Sequence, residues 1–349
     1  MLTVSEALSP IDMIEILSFV AAIAVGFVVL STSADRLIEV ASTLASRLGM
    51  SILTIGMTIV AFGTSAPELL VSSVAALDGS AGIAIGNALG SNIINIGLVL
   101  ALCGIIYPLV VSRRIITREL PLLVLVVAFA MALMLDGDLS QMDGFILAGA
   151  LLAYCYYLAK HSGGDNEDED EVVILSISTT RAVVESLVLL ALLMGSSKLL
   201  VWGASELARS FGISEMIIGL TVIAFGTSLP EMAAALASAR KGLFDLVMAT
   251  VIGSNIFNLL GVLAFPGILS GGLAIDSSVL QRDGLAMAGL TALLAICIVT
   301  SLAMDRDETS SSSMTLGRVT CSRVPRYKSA IILAAFTTYM GVLALSIIS

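Results

Sequence analysis

Charge is scarce in this sequence. Asp, Glu, Lys and Arg make up 13% of its 349 positions, about half the share of an ordinary soluble domain. With hydrophobic residues at 58% and a mean hydropathy of +1.04, a water-soluble globular chain is excluded and a polytopic membrane protein is expected. Histidine occurs once, at position 161, so no catalytic triad that needs a second histidine can be assembled. Cys103, Cys155, Cys297 and Cys321 are scattered without a CxxC spacing, which removes the usual mark of a zinc or dithiol site and leaves free thiols as the expectation. No enzyme activity and no cofactor are expected. Basic residues are outnumbered 17 to 27, and much of the excess acid lies in GGDNEDEDE at 163–171. Such a run repels nucleic acid and reads as a solvated linker without the spacing of a calcium loop. The first apolar run, 14–30, has no basic segment before it and no small-residue cleavage site after it. It is expected to be a first span, not a removed signal.

Apolar runs bounded by charges or turns lie near 14–34, 50–77, 82–106, 119–135, 142–159, 181–203, 213–239, 243–268, 284–302 and 329–348. These are too continuous for barrel strands, so ten membrane helices are expected, an all-α polytopic fold. Counting basic residues orients them. One set of connections holds Arg36, Arg47, Arg113, Arg114, Arg118, Lys160, Arg181, Arg240, Lys241, Arg306, Arg318, Arg323, Arg326 and Lys328; the other holds Arg209 and Arg282, with Lys198 inside a span. The positive-inside rule then places both termini outside and the acidic linker in the cytoplasm of a cell-membrane protein. The serine-rich stretch 307–328 reads as a cytoplasmic connection whose basic end can meet anionic headgroups.

A repeat runs through the chain. GMTIVAFGTSAPELLVSSVAAL (56–77) returns as GLTVIAFGTSLPEMAAALASA (219–239). Gly56 pairs with Gly219, Glu68 with Glu231, Ser91 with Ser254 and Asn95 with Asn258, always 163 residues apart. That offset covers five spans, an odd number, so the second copy enters the membrane inverted. The expected organisation is a first five-helix repeat over 1–160 with its motif at 56–97, an acidic linker at 161–180, and a second repeat over 181–349 with its motif at 219–261. Inverted repeats with interrupted helices are the usual plan of secondary transporters, with binding near the midplane. Asp35 and Lys198 also occupy equivalent positions, but inversion sends them toward opposite faces, so no pair between them is expected.

The repeated motif has a chemistry of its own. Pro67 lacks an N–H, so the carbonyl of Gly63 loses its helical partner and the helix kinks; neighbouring carbonyls, Ala61 among them, are expected to turn toward a cavity. Thr64, Ser65 and Glu68 share one helix face at i, i+3 and i+4 spacings. Ala224, Thr227, Ser228, Pro230 and Glu231 repeat the set. Hydroxyls, a carboxylate and loose carbonyls make the all-oxygen shell that hard cations such as Ca²⁺ and Na⁺ require. Packing alone needs no intramembrane acid. In GNALGSNIINIG (86–97) and ATVIGSNIFNLLG (249–261), Ser91 with Asn95 and Ser254 with Asn258 each put a hydroxyl and an amide on one face, able to coordinate a cation or anchor a carboxylate. Asn92 and Asn255 read instead as interhelical glue. Two carboxylates neutralise one Ca²⁺ or two Na⁺, and a site costly to leave empty suits an exchanger.

These four motifs, in this order, resemble the two alpha repeats of the cation/Ca²⁺ exchanger superfamily, and most closely the prokaryotic sodium/calcium exchangers. The resemblance covers the ten-span plan and is strongest over 47–100 and 210–263. It implies a central four-helix ion site, antiport of Na⁺ against Ca²⁺ as transported ions, a three-for-one and therefore electrogenic stoichiometry, and a protein that works as a monomer in the bilayer. It also implies alternating access by sliding of helices 14–34 and 181–203. Glu68 and Glu231 would bind Ca²⁺ and share Na⁺. Thr64, Ser65, Thr227, Ser228, Ser91 and Ser254 would coordinate Na⁺ with the carbonyls of Ala61 and Ala224. Potassium-dependent relatives have aspartate where this chain has Asn258, so no potassium requirement is expected. The GNxxE signature of calcium/proton exchangers is absent, since Asn87 is followed by Ala-Leu-Gly. Calcium or other divalent exchange against protons is the alternative, and a cation channel stands behind it.

Overall fold

In hydrocarbon an apolar run can pair its backbone polar groups within itself only as a helix, and helices dominate the fold. The computed structural model describes residues 10–161, 174–212, 224–311 and 321–348. Helix α1, Pro10–Leu48, outruns its expected end at 34. Nothing between 35 and 48 stops it, neither Gly nor Pro, until Gly49 takes a left-handed φ of 65°. Its 39 residues span about 58 Å, roughly twice the hydrocarbon thickness.

Next come α2 (Ile52–Thr64) and α3 (Ala66–Leu77), bent 42° from each other. The break falls at Ser65, with φ −83° and ψ 1°, and Pro67 sits in the first turn of α3, where its missing N–H costs nothing. The other helices are α4 (Ala81–Ile106), α5 (Ile115–Leu133), α6 (Gln141–Lys160), α7 (Thr179–Ser210), α8 (Leu229–Arg240), α9 (Phe244–Ser270), α10 (Leu280–Leu302) and α11 (Arg326–Ile348). Among the described residues, eight helices are long and apolar enough to cross a membrane, or nine with the bent pair taken as one span. The remaining expected span, 213–239, is described from residue 224 onward, as one turn at Ala224–Gly226 followed by α8. The acidic run 163–171 lies outside the described residues.

Two short antiparallel ladders were not expected from the sequence. β1 (Leu109–Ser112) pairs with β4 (Cys321–Val324), and β2 (Asp138–Ser140) with β3 (Gly272–Ala274). Each ladder joins a connection in the first half of the chain to one in the second.

Packing divides the molecule in two. α9 forms the centre, its apolar window wholly buried, and α4 lies beside it at 72%. Helices α1 and α7 lie antiparallel to one side and share a separate apolar cluster with parts of α2 and α8. Gly203 makes their close approach possible, since a Cβ there would lie 2.8 Å from the Phe19 carbonyl oxygen. Farther along, Arg36 Nε bonds Glu185 Oε1 at 2.6 Å.

Candidate ion-binding site

The breaks in the two motif helices and the centres of α4 and α9 meet at one buried place. Glu68, Glu231, Thr64, Asn95, Asn258 and Ser254 are fully buried, although every one of them is polar or charged. Ala61, Ser65, Ser91 and Ser228 are buried too. Thr227 is half-buried, and Ala224 opens the single turn before it. Gly219 and the rest of the motif up to 223 lie outside the described residues.

Contacts cross between the two motif copies. Ser65 Oγ donates to Glu231 Oε1 at 3.2 Å, bridging residues 166 apart in sequence. Thr64 Oγ1 and Ser254 Oγ lie 3.5 Å apart, and both donate to the Ala61 carbonyl, at 3.2 and 3.4 Å. Ser91 stands beside the Glu68 carboxylate, and Glu68 and Glu231 are near enough to act on each other electrostatically. The Ala61 carbonyl is not set free by the kink, as the sequence suggested: the Ser65 N–H still reaches it at 3.0 Å, because the last turn of α2 closes before the break. The lone pairs it offers are shared with hydroxyls.

What the side chains leave unpaired defines the chemistry. Both Glu68 carboxylate oxygens, Glu231 Oε2, Asn95 Oδ1, Ser228 Oγ and both polar atoms of Asn258 are buried without a hydrogen-bond partner. A buried carboxylate with nothing to pair it costs several kcal/mol. No cluster of three or more His, Cys, Asp or Glu occurs among the described residues. The donors are therefore two carboxylates with neutral hydroxyl, amide and carbonyl oxygens, a set suited to a hard cation.

Around this centre the supporting residues fall into place. Asn92 Nδ2 donates to the Asn255 carbonyl at 3.2 Å and Asn255 Nδ2 to the Asn92 carbonyl at 3.4 Å. This reciprocal link between α4 and α9 is the glue read from the sequence. Asn95 Nδ2 donates to Asn255 Oδ1 at 3.1 Å. Two features were invisible in the motifs. Asn87 Nδ2 donates to the Glu68 carbonyl at 3.0 Å and to Ser72 Oγ at 2.9 Å, fixing the turn that presents Glu68. Ser197 Oγ on α7 donates to the Gly226 carbonyl at 2.7 Å, the oxygen that Pro230 leaves without a helical partner. A search for hydroxyls on neighbouring spans would have found Ser197 only with the helix packing known.

A sequence profile described as sodium/calcium exchanger protein matches residues 18–160 and 182–345, nearly the whole chain. The chain belongs to the sodium/calcium exchanger protein family. Its members are transporters, not enzymes. The CaxA protein of Alkalimonas amylolytica is 39% identical over 325 residues, covering 91% of this chain and 96% of that one. The sodium/calcium exchanger MaX1 of Methanosarcina acetivorans is 28% identical over 282 residues, 70% of this chain and 81% of that one. Among solved structures, the sodium-calcium exchanger NCX_Mj superposes with a TM-score of 0.75 at 29% identity, covering 93% of this chain and 97% of that one.

Proposed function

We propose that this exchanger moves Ca²⁺ against Na⁺ across the cell membrane by alternating access, with Glu68 and Glu231 at the centre of one shared ion site. The observation behind this reading is the pair of fully buried glutamates, three of whose four carboxylate oxygens lack a protein partner, in a ring of neutral oxygen donors. Such a site must be charged by one cation load or another, which couples the two ions. Thr64, Ser65, Thr227, Ser228, Ser91 and Ser254 supply hydroxyls, Ala61 and Ala224 carbonyls, and Asn95 and Asn258 amide oxygens. With amides at both Asn95 and Asn258, the site holds two acids and has no need of potassium. Two negative charges balance one Ca²⁺, whereas three Na⁺ leave one positive charge over, so three-for-one exchange is electrogenic.

The architecture fits ten spans in two inverted repeats of five, with the protein active as a monomer. Three arrangements support this reading: the motif breaks stand 163 residues apart, β1 and β3 begin at Leu109 and Gly272 with the same offset, and α1 and α7 run antiparallel. Both termini outside and the acidic linker in the cytoplasm agree with the way Arg36, Arg181, Arg240 and Lys241 gather around Asp35, Glu39 and Glu185 on one face.

The test is Ca²⁺ uptake by proteoliposomes loaded with Na⁺ and diluted into Na⁺-free medium, beside a set with Na⁺ on both sides. Uptake confined to the gradient set, and unchanged by removing K⁺ at fixed potential, is the expected result. Equal uptake in both sets would remove Na⁺ as the coupling ion and turn the search to a pH gradient.

A further inference from the structure

The two halves of the chain stand in different relations to their sliding helices, and the difference singles out residues outside the ion-site set. On the side of the cytoplasmic charges, α1 is closed against α8. Asp35 Oδ1 meets Arg240 Nη2 at 2.5 Å, and Glu39 Oε1 meets Lys241 Nζ at 2.8 Å. Beneath these ion pairs, Leu37, Val40, Ala41 and Leu44 of α1 are buried in one apolar cluster with Ala234 and Ala237 of α8.

Adding or subtracting 163 carries this closed face onto α7 and α3, where it is open. Ala234 and Ala237 become Val71 and Val74, which are 40% and 55% exposed. Arg240 becomes Leu77, 63% exposed, and Glu39 becomes Trp202, 47% exposed. Leu37 and Leu44 become Leu200 and Leu207, both only half-buried. Asp35 becomes Lys198 and Lys241 becomes Asp78. Each observed ion pair thus keeps one charged member on this face, with its sign reversed, and the two that remain, Lys198 and Asp78, are opposite in charge. Lys198 and Asp78 are exposed, and neither side chain makes a hydrogen bond or ion pair among the described residues. A lysine inside a span is costly unless some state of the protein gives it a partner.

We propose that Lys198 and Asp78 form the ion pair that closes the opposite face when α1 and α7 shift across the ion site. This rests on reading the chain as an alternating-access exchanger. In that state Val71 and Val74 pack under α7 as Ala234 and Ala237 now pack under α1, with Trp202 in the place equivalent to the one Glu39 holds on the closed face. Reaching it requires the Ser197 bond to the Gly226 carbonyl to break. The Asp35–Arg240 and Glu39–Lys241 pairs break in the same step. Each state thus loses one set of pairs as it gains the other, and the ion pairs bias the two states in opposite directions. Lys198 and Asp78 touch no transported ion; they position α7.

The experiment is a charge-reversal cycle in the full-length protein in liposomes: Lys198→Asp, Asp78→Lys and both together. Each single change places like charges on the closing surfaces and slows Ca²⁺ uptake about tenfold, while the double change restores it to within about twofold, as for a directly coupled pair. A second readout follows maleimide modification of Val74→Cys, quantified on its own peptide. Modification slows when the protein is driven to the opposite-facing state and stays fast in the single reversals, which separates lost closure from misfolding. A double variant no faster than the single ones, or labelling that the reversals leave unchanged, overturns the pair. Reversal-sensitive labelling in a protein without Na⁺-driven uptake would overturn the exchange reading alone.

Discussion

Glu68 and Glu231 are costly to place, being fully buried with three of their four carboxylate oxygens unpaired. Replacing either by Gln keeps the volume and removes the charge proposed to hold the cation. We expect Glu68→Gln and Glu231→Gln each to lower Ca²⁺ uptake on the order of a hundredfold or more, in line with removing one partner of a buried charge contact, while purified protein remains folded by size-exclusion chromatography. Ser197→Ala is a subtler change. It removes the 2.7 Å bond to the Gly226 carbonyl, a loss of about 1 kcal/mol from the present state, and should change the turnover rate severalfold without abolishing Ca²⁺ binding. At this scale the buried polar cluster was legible because spacing alone puts Thr64, Ser65 and Glu68 on one face. Ser197 and Asn87 were not, since their partners lie 29 and 19 residues away and no periodicity records such a bond. The Ala61 carbonyl was misjudged for a local reason: a proline frees the oxygen four residues before it, and Ala61 is six before Pro67.

The helices follow from apolar runs, and their deviations follow from single residues. Proline in the first turn of α3 sets the bend after Ser65, and Gly49 ends α1 where no earlier residue could. Close packing in the core is found where α9 crosses α2. A Cβ on Gly253 would lie 2.8 Å from the Ala61 Cβ and 2.9 Å from the Met57 Cα. Gly253→Val therefore overfills a contact with backbone on one side and should cost about 1–3 kcal/mol. The loss would be read as a lower melting temperature in detergent, together with weaker Ca²⁺ binding as Ala61 is pushed aside. The two β-ladders escaped the sequence reading because each pairs segments from opposite halves, Leu109 with Val324 and Asp138 with Ala274. A four-residue strand without local alternation has no signal until its partner is known.

For the whole molecule, the proposed cycle joins a charged centre to a pair of helices that shut one face at a time. Weakening the shut face should favour the other state. Arg240→Gln removes the 2.5 Å contact to Asp35 and is expected to slow maleimide labelling of Val74→Cys, the reverse of what Lys198→Asp does. Electrogenic exchange has its own sign. When three Na⁺ leave a vesicle for each Ca²⁺ that enters, one positive charge moves outward per cycle, so an inside-positive potential should speed Ca²⁺ uptake; an electroneutral cycle would not respond. The repeated motif is legible in the constant offset of 163 residues, whereas which face is closed is not, because the closed and open faces are built from the same repeated positions. Beneath all of this lies the claim that one site holds either ion. It is tested most directly by equilibrium Ca²⁺ binding to the purified protein at rising Na⁺ concentration. The account predicts one Ca²⁺ per chain, displaced by Na⁺ with a steepness greater than first order and not bound at all by Glu68→Gln. Ca²⁺ binding that Na⁺ leaves unchanged would contradict it.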